Sequence, residues 1–275
     1  MPTSKLTRRS RKVPTANAPS GHPLALQLYS VREHLPADRK GVLRRIAAAG
    51  YGAVEAVNVT ADPSGLRAEL DAVGLSVCSV HANPTAEQAA DIFAATRTLG
   101  TDTIIVPFLP PARFADAAGV ADVAAELNQA AARAADAGFR LGYHNHDFEL
   151  STVVDGRPAL EVLVGKLDDA VLLEVDTYWA AVGGQDVPAL LGRLGDRVRY
   201  LHVKDGPINK EEPMTAVGAG RMPVADILAA APSAAWHIVE LDRCGTDMLT
   251  AVKESAAWLV SQGLAEPVRR DGGAA

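Results

Sequence analysis

The chain has 275 residues, of which 48% are hydrophobic and 22% charged, and this composition is typical of a folded protein with a large core. No apolar run reaches the roughly 18 residues of a membrane span, and no apolar segment follows the basic N-terminal stretch as in a secretory signal. We therefore expect a cytoplasmic protein without a membrane partner. The formal net charge of −6 at pH 7 disfavours nucleic acid as a partner.

The N-terminal 22 residues differ from the rest of the chain. The stretch MPTSKLTRRSRKVPTANAPSGH contains five Lys or Arg and no acidic residue, so the remainder carries a formal charge near −11. This pattern predicts a flexible tail over residues 1–22, one catalytic domain over 23–265 and a flexible C-terminus over 266–275. Cys78 and Cys244 show no CxxC-type spacing, so a cysteine zinc site is not expected.

From residue 24 onward, short apolar runs alternate with Ala- and Leu-rich stretches of helical period. Strands are predicted at 24–32, 53–58, 76–83, 101–109, 140–148, 171–179, 198–205 and 235–242. Helices are predicted at 38–49, 62–73, 85–99, 119–136, 157–167, 187–194, 223–231 and 246–261. Eight βα units indicate an α/β fold, a single (β/α)8 TIM barrel. A doubly wound open sheet is the alternative, but no GxGxxG motif follows the first strand.

Capping residues mark the ends of several predicted helices. Glycines that would cap helix C-termini in the left-handed conformation are Gly50, Gly74, Gly100 and Gly138. Residues that would cap helix N-termini are Asp38, Asp62 and Thr85.

Five of the eight predicted strands end in polar residues. The alternation of side chains along each strand directs these residues into the barrel. In chain order the pairs are His81 and Asn83, His144 and His146, Glu174 and Asp176, His202 and Lys204, and Glu240 and Asp242. Because catalytic groups of such barrels lie at the C-terminal ends of the strands, we expect these side chains to converge at one mouth of the barrel.

Carboxylates and imidazoles on consecutive strands suit a divalent cation such as Mn²⁺, Mg²⁺, Zn²⁺ or Co²⁺. Asp176, His202 and Glu240 are the predicted ligands. The fourth ligand should come from strand five, where His144 and His146 have the inward parity and Glu149 follows the strand.

A purely structural role for these groups is the alternative to a metal site. In that interpretation Asp176 and His202 form an ion pair, and Glu240 pairs with Lys204 or Arg243.

Four segments, LGYHNHDFEL, LLEVDTYWA, RYLHVKD and HIVELDRC, resemble the strand-five to strand-eight signatures of the sugar phosphate isomerase/epimerase family, the xylose isomerase-like TIM barrels. LQLYSVR and SVHANP resemble the family as well, so the resemblance covers roughly residues 24 to 262. It implies one divalent metal ion, Mn²⁺ before Mg²⁺, Co²⁺ or Zn²⁺, held by Glu149, Asp176, His202 and Glu240. The chain departs from the family at His144, where relatives with a two-carboxylate proton shuttle have Glu.

A metal that binds two adjacent oxygens of a hydroxy-ketone polarises the carbonyl and favours an ene-diolate. The candidate bases are His144, His146 and Glu240, and Lys204 is a candidate for holding a substrate oxygen. We therefore predict a metal-dependent isomerase or epimerase acting on a keto-sugar or related polyol ketone. If a β-oxygen leaves instead, the same intermediate makes the protein a lyase or dehydratase acting on an inosose or a 3-keto-glycoside.

The predicted substrate-binding residues are His81, Asn83, Trp179 and Arg221, although a structural hydrogen bond for His81 and a packing role for Trp179 stay open. Arg221 belongs to a short glycine loop, VGAGR, in the region where such barrels often bind phosphate. The expected partner is a small sugar or sugar-derived molecule, and a homo-oligomer is compatible with the sequence. Two other functions stay open: a nuclease that cuts abasic DNA and a non-catalytic carbohydrate-binding barrel.

Overall fold

The computed structural model describes residues 22–266. Residues 1–21 of the predicted tail and residues 267–275 of the predicted C-terminal segment lie outside the described residues. His22 begins the first strand, and Ala265–Glu266 forms a short strand that pairs with His22 and Pro23. The regular structure therefore extends one residue beyond each predicted bound of the barrel.

Eight parallel strands close into a barrel, because the eighth strand pairs with the first. We number them β1 His22–Gln27, β2 Ala53–Ala56, β3 Ser76–His81, β4 Thr103–Val106, β5 Arg140–His144, β6 Leu172–Asp176, β7 Val198–Val203 and β8 Trp236–Val239. The TIM barrel predicted from the alternation of elements is thus confirmed, and the open-sheet alternative is wrong.

Eight helices follow the strands and cover the outside of the barrel. They are α1 Leu35–Ala48, α2 Pro63–Asp71, α3 Ala89–Leu99, α4 Ala117–Asp136, α5 Ala159–Val164, α6 Val187–Leu194, α7 Val224–Ala229 and α8 Met248–Ser261. Further short elements are 3-10 turns at Leu28–Val31, Pro111–Phe114 and Gly195–Arg197, helices at Phe148–Ser151 and Thr177–Val182, and a hairpin of Val153–Val154 with Arg157–Pro158.

Most strands end earlier than predicted at the mouth of the barrel. The chain turns into the 3-10 helix at Leu28 after β1, and into short helices at Phe148 and Thr177 after β5 and β6. Asp176 makes one of these turns, since its side chain accepts a hydrogen bond from the backbone N–H of Trp179. The first polar residue of each pair except Glu240 therefore lies within a strand, whereas Asn83, His146, Lys204, Glu240 and Asp242 belong to mouth loops.

The predicted caps are largely present. All four C-terminal glycines have positive φ angles, between 69° and 104°. Asp62 caps α2 through the N–H of Gly65, and Asp38 accepts from the N–H of Gly41 at a kink near the start of α1. Thr85 does not cap α3, because that helix begins four residues later, at Ala89.

Two apolar clusters hold the barrel together. The larger lies between the strands and the surrounding helices, and the smaller fills the barrel interior with Ala25, Ala53, Cys78, Ile105, Tyr200 and Ile238. The smaller cluster closes the barrel beneath the polar residues of the mouth. None of the helices in the described part of the chain has the length and hydrophobicity of a membrane span.

Candidate active site

Strand register brings the predicted site residues side by side. Asp176 on β6 is the register partner of His202 on β7, and His144 on β5 is the partner of Glu174 on β6. Side chains of equal parity on neighbouring strands point to the same side of a sheet, here the barrel interior. All four residues are buried.

Three of the predicted interior residues and Glu240, which follows β8, form a group that could hold a metal ion, here called the metal-compatible group: His144, Asp176, His202 and Glu240. One ligand atom from each lies within 4.8 Å of the others. Two carboxylates and two imidazoles suit the divalent cations predicted from the sequence. The strand-five member of the group is His144.

The two carboxylate oxygens of Asp176 have different surroundings. Oδ1 accepts the hydrogen bond from the N–H of Trp179, at 2.8 Å. Oδ2 is buried without a hydrogen-bond donor of suitable geometry among the described residues. It lies 2.8 Å from Lys204 Nζ and 3.7 Å from His144 Nε2. Burial raises the pKa of Asp176 to about 6, although Lys204 and His202 oppose this shift.

Lys204 is buried in the mouth and contacts three carboxylates. Its Nζ lies 2.8 Å from Asp176 Oδ2, 2.6 Å from Glu240 Oε2 and 2.8 Å from Asp242 Oδ2. Burial alone would lower the pKa of Lys204, but these carboxylates raise it well above its ordinary value, so the side chain is an ammonium. The pairing of Lys204 with Glu240 expected in the structural alternative is present, and it coexists with the metal-compatible group.

A second group lies deeper in the barrel and consists of His81, His144, Glu174 and His202. Oε2 of Glu174 lies 2.7 Å from His81 Nε2, 3.1 Å from His144 Nδ1 and 3.2 Å from His202 Nε2. Burial, together with the charge of Glu55, raises the pKa of Glu174 to about 7.

Glu55 on β2 belongs to the same deep layer and was not selected from the sequence. Its Oε2 lies 2.7 Å from His202 Nε2 and 3.0 Å from His81 Nε2. Burial opposes ionisation of Glu55, but His81 and His202 outweigh it and hold the pKa of Glu55 well below its ordinary value. The only sequence signal was one acidic residue in the apolar run AVEAVN, without a motif around it.

The three imidazoles of the two groups have different protonation tendencies. Burial would lower the pKa of His81, but Glu55 and Glu174 raise it to about 10. The pKa of His202 is likewise raised well above its ordinary value by Glu174, Glu240 and Glu55, against burial. The pKa of His144 is lowered well below its ordinary value by burial and by the neighbouring His202 and His81.

His146 lies at the edge of the mouth and is not a member of either group. Its Nδ1 is buried and has no hydrogen-bond partner among the described residues. Burial, with a further contribution from Lys204, lowers the pKa of His146 to about 4, so the ring is neutral near pH 7. Its ring stacks on Phe148 and meets the edge of Phe108, which fixes its plane.

Glu149, the strand-five ligand implied by the family resemblance, is not brought into either group. It is fully buried in the short helix Phe148–Ser151, where Oε1 accepts from the Tyr143 hydroxyl at 2.7 Å and Oε2 accepts from the backbone N–H of His146 at 2.9 Å. Both oxygens are thus engaged. Burial raises the pKa of Glu149 to about 7 despite these hydrogen bonds.

A cavity of about 390 Å³ opens above the metal-compatible group. Five predicted site residues line it: His81, His144, His146, Lys204 and Glu240. Lining residues that were not selected as site residues are Tyr29, Val57, Asn58, Pro107, Phe108 and Asp242. Tyr29 and Phe108 are among the exposed large hydrophobic side chains and form an apolar rim. Their exposure cannot be deduced from a sequence in which both belong to apolar runs.

Three predicted substrate-binding residues do not line this cavity: Asn83, Trp179 and Arg221. Asn83 follows β3, and its backbone carbonyl accepts from the N–H of Thr85. Trp179 is partly buried, with its ring centroid 5.6 Å from Lys204 Nζ. Arg221 is exposed on the loop after β7.

The glycine loop around Arg221 is organised by Asp205. The Asp205 carboxylate accepts four backbone N–H groups, at 2.8 to 3.1 Å, from Gly206, Gly218, Gly220 and Met222. A Cβ at Gly220 would lie 2.1 Å from Asp205 Oδ1, which explains the glycine there. The N–H groups that could have bound a phosphate are therefore occupied by a carboxylate of the chain itself.

Known proteins resemble the chain in sequence and in structure. The family model described as xylose isomerase-like TIM barrel matches residues 43–262. A sugar phosphate isomerase/epimerase from Parabacteroides distasonis ATCC 8503 has 26% identity and a TM-score of 0.76, with 92% of this chain and 98% of that chain covered. A probable 3-DHS dehydratase from Bacillus anthracis has a TM-score of 0.70 at 11% identity, with 86% and 98% covered, and shows likeness of fold alone.

The inosose dehydratase of Geobacillus kaustophilus (strain HTA426) is 38% identical over 80 residues. This stretch is 29% of this chain and 25% of that relative, so the match spans about a quarter of the curated protein.

Proposed function

We propose that this chain, which belongs to the xylose isomerase-like TIM barrel family, is a divalent-metal-dependent enzyme that removes a proton beside the carbonyl of an unphosphorylated keto-sugar or polyol ketone. Isomerisation or epimerisation through an ene-diolate is the proposed outcome, as predicted from the sequence. The observation that carries the proposal is the group His144, Asp176, His202 and Glu240 beneath an open cavity.

The residues present fit a divalent cation. Two buried carboxylates and two imidazoles, with one ligand atom of each within 4.8 Å of the others, are a donor set that such a cation prefers. This metal-compatible group is preferred to the deeper one because it supplies two carboxylates, whereas the deeper group supplies one. In the deeper group, the single carboxylate oxygen Glu174 Oε2 already contacts three ring nitrogens.

A divalent cation bound there would polarise the carbonyl oxygen of a hydroxy-ketone and lower the pKa of the adjacent C–H group. His146 is the proposed base, because its side chain lines the cavity and is neutral near pH 7. The sequence left His144 and His146 equivalent for this role. The position of His144 among the metal-compatible residues supports assigning proton transfer to His146.

Lys204 is the proposed electrostatic partner of the substrate oxygens. Its ammonium group lines the cavity and has a fixed position between Glu240 and Asp242. It can donate a hydrogen bond to an oxygen on which negative charge develops. Glu240 is proposed as a metal ligand, and its contact with Lys204 argues against a separate role as base.

Occupation of the glycine loop by Asp205 supports a substrate without a phosphate group at that location. Arg221 is exposed and lies outside the cavity lining, so no role in substrate binding is proposed for it.

Dehydration of the same type of substrate is the second candidate. His146 is a neutral imidazole that lines the cavity, and Lys204 is an ammonium that could protonate a departing hydroxyl group. One base and one acid suit elimination, whereas epimerisation needs a group to return the proton to the opposite face. The partial match to an inosose dehydratase supports this candidate.

The test is incubation of the metal-loaded protein in deuterated water with a panel of keto-sugars, inositol ketones and 3-keto-glycosides, followed by mass spectrometry and NMR. Isomerisation or epimerisation gives a product that is an isomer of the substrate with one hydrogen replaced by deuterium. Dehydration gives a product that is lighter by one water. A stoichiometric metal without exchange into any compound of the panel would contradict the proposal.

A further inference from the structure

The carboxylate of Glu55 is held rigidly at the floor of the site. Strand register places Gln27 and Ser79 on either side of it. Gln27 Nε2 donates to Glu55 Oε2 at 2.6 Å, and Ser79 Oγ donates to Glu55 Oε1 at 2.6 Å. All three side chains are fully buried, so water does not compete for these bonds.

His202 spans the distance between this carboxylate and the metal-compatible group. Its Nε2 lies 2.7 Å from Glu55 Oε2, while its Nδ1 lies 2.8 Å from Glu240 Oε2. The two ring nitrogens thus face different layers: Nε2 the deep layer and Nδ1 the mouth. The neighbouring carboxylates raise the pKa of His202, but a ring that binds a cation gives up one hydrogen and keeps the other. The layer that accepts the remaining hydrogen therefore decides which nitrogen can bind the cation.

We propose that Glu55 is a positioning residue that keeps the hydrogen of His202 on Nε2 and thereby leaves the Nδ1 lone pair for a divalent cation. The inference rests on the proposed function in one respect, the binding of a metal ion by the metal-compatible group. An ionised carboxylate can only accept a hydrogen bond, and Gln27 and Ser79 keep its orientation fixed. Metal-binding histidines commonly donate their other ring N–H to such a group.

A different role for Glu55 would be to balance the charge of His81, which lies 3.0 Å away. Two substitutions separate the roles: Glu55→Leu removes both the charge and the acceptor for His202 Nε2, whereas Glu55→Gln removes the charge alone. In Glu55→Gln the amide oxygen would take the place of Oε2, because Gln27, whose Oε1 accepts from the N–H of Tyr29, donates its Nε2 there. In Glu55→Leu the hydrogen of His202 loses this acceptor and can move to Nδ1, where it opposes a cation.

The test measures the affinity for Zn²⁺ by competition with a chromophoric chelator, for the wild type, Glu55→Leu and Glu55→Gln. We expect Glu55→Leu to bind Zn²⁺ roughly 10- to 100-fold more weakly, and Glu55→Gln to lose much less affinity. The matched control is Glu149→Gln, which also alters a fully buried carboxylate but one that contacts no histidine ring nitrogen, and its dissociation constant should stay within about twofold of the wild type. Ser79→Ala, which removes one donor to Glu55, should weaken Zn²⁺ binding in the same direction but less.

Histidine ¹⁵N NMR of the Zn²⁺-loaded wild type supplies a readout that a merely structural role would not change. We expect the His202 resonances to show hydrogen on Nε2 and metal on Nδ1. Unchanged Zn²⁺ affinity in both Glu55→Leu and Ser79→Ala, an equal loss in Glu55→Gln and Glu55→Leu, or hydrogen on Nδ1 in the loaded wild type, would overturn the role of Glu55. A wild type that binds no divalent cation would instead refute the proposed function on which this role depends.

Discussion

At the scale of single residues, the two imidazoles of the YHNH segment have separate surroundings. His144 lies among carboxylates and imidazoles, whereas His146 lines the cavity outside that group. We predict that His146→Gln lowers kcat by roughly 10²- to 10⁴-fold, as is typical of removing a general base, with Zn²⁺ affinity unchanged. Steady-state kinetics and metal titration check this, with His144→Gln as the comparison variant that should lose metal. Loss of metal in His146→Gln would assign that residue to the ligands.

Glu149 gives a prediction about stability. Because burial raises its pKa to about 7, the folded protein holds a proton there that the unfolded chain releases near pH 4.5. The proton on Glu149 therefore contributes fully to the free energy of unfolding below about pH 4.5. On the order of 3 kcal/mol of that free energy is lost as the pH rises to about 7. Between pH 5 and pH 8, measured with a chelator, the wild type should lose more stability than Glu149→Gln.

Denaturant unfolding of both proteins at the two pH values is the measurement. The exposed carboxylate variant Glu254→Gln serves as the control and should follow the wild type. Equal pH dependence in Glu149→Gln and the wild type would show that Glu149 is ionised throughout and that its two hydrogen bonds outweigh burial.

At the scale of elements, the loop after β7 depends on one side chain. Asp205→Ala would leave four backbone N–H groups without their acceptor, from Gly206 to Met222. We expect a loss of about 3 kcal/mol and faster hydrogen exchange confined to residues 206–222, because charge-assisted bonds to a buried carboxylate are strong. Asp205→Asn, which retains one acceptor oxygen, should give a smaller change. Exchange that accelerates equally in all barrel strands would show that Asp205 supports the whole fold instead.

At the scale of the whole molecule, metal binding should stabilise the barrel because the proposed ligands come from four consecutive strands, β5 to β8 or the loops at their ends. A ligand at 100 times its dissociation constant adds about 2.7 kcal/mol, which is several degrees in melting temperature for a domain of this size. Asp176→Asn should abolish this shift, while its amide oxygen can still accept from the N–H of Trp179. Thermal unfolding with Zn²⁺ and with chelator measures it. A full shift in the variant would place the cation elsewhere.

The sequence by itself determined the barrel, the positions of its helices and the family, which the match over residues 43–262 confirms. Periodicity and glycine caps are local signals in the sequence. Strand periodicity also predicted that Asp176, His202 and Glu240 point into the barrel, because parity along a strand fixes which side chains face inward. Only the tertiary structure decided which distant groups meet. Barrel closure brings Glu55 to His202 across 147 positions of sequence separation. It also places His144, rather than Glu149, beside Asp176 and fills the glycine loop with Asp205. Such pairings depend on the relative register of strands that are far apart in the chain, and local periodicity contains no information about that register.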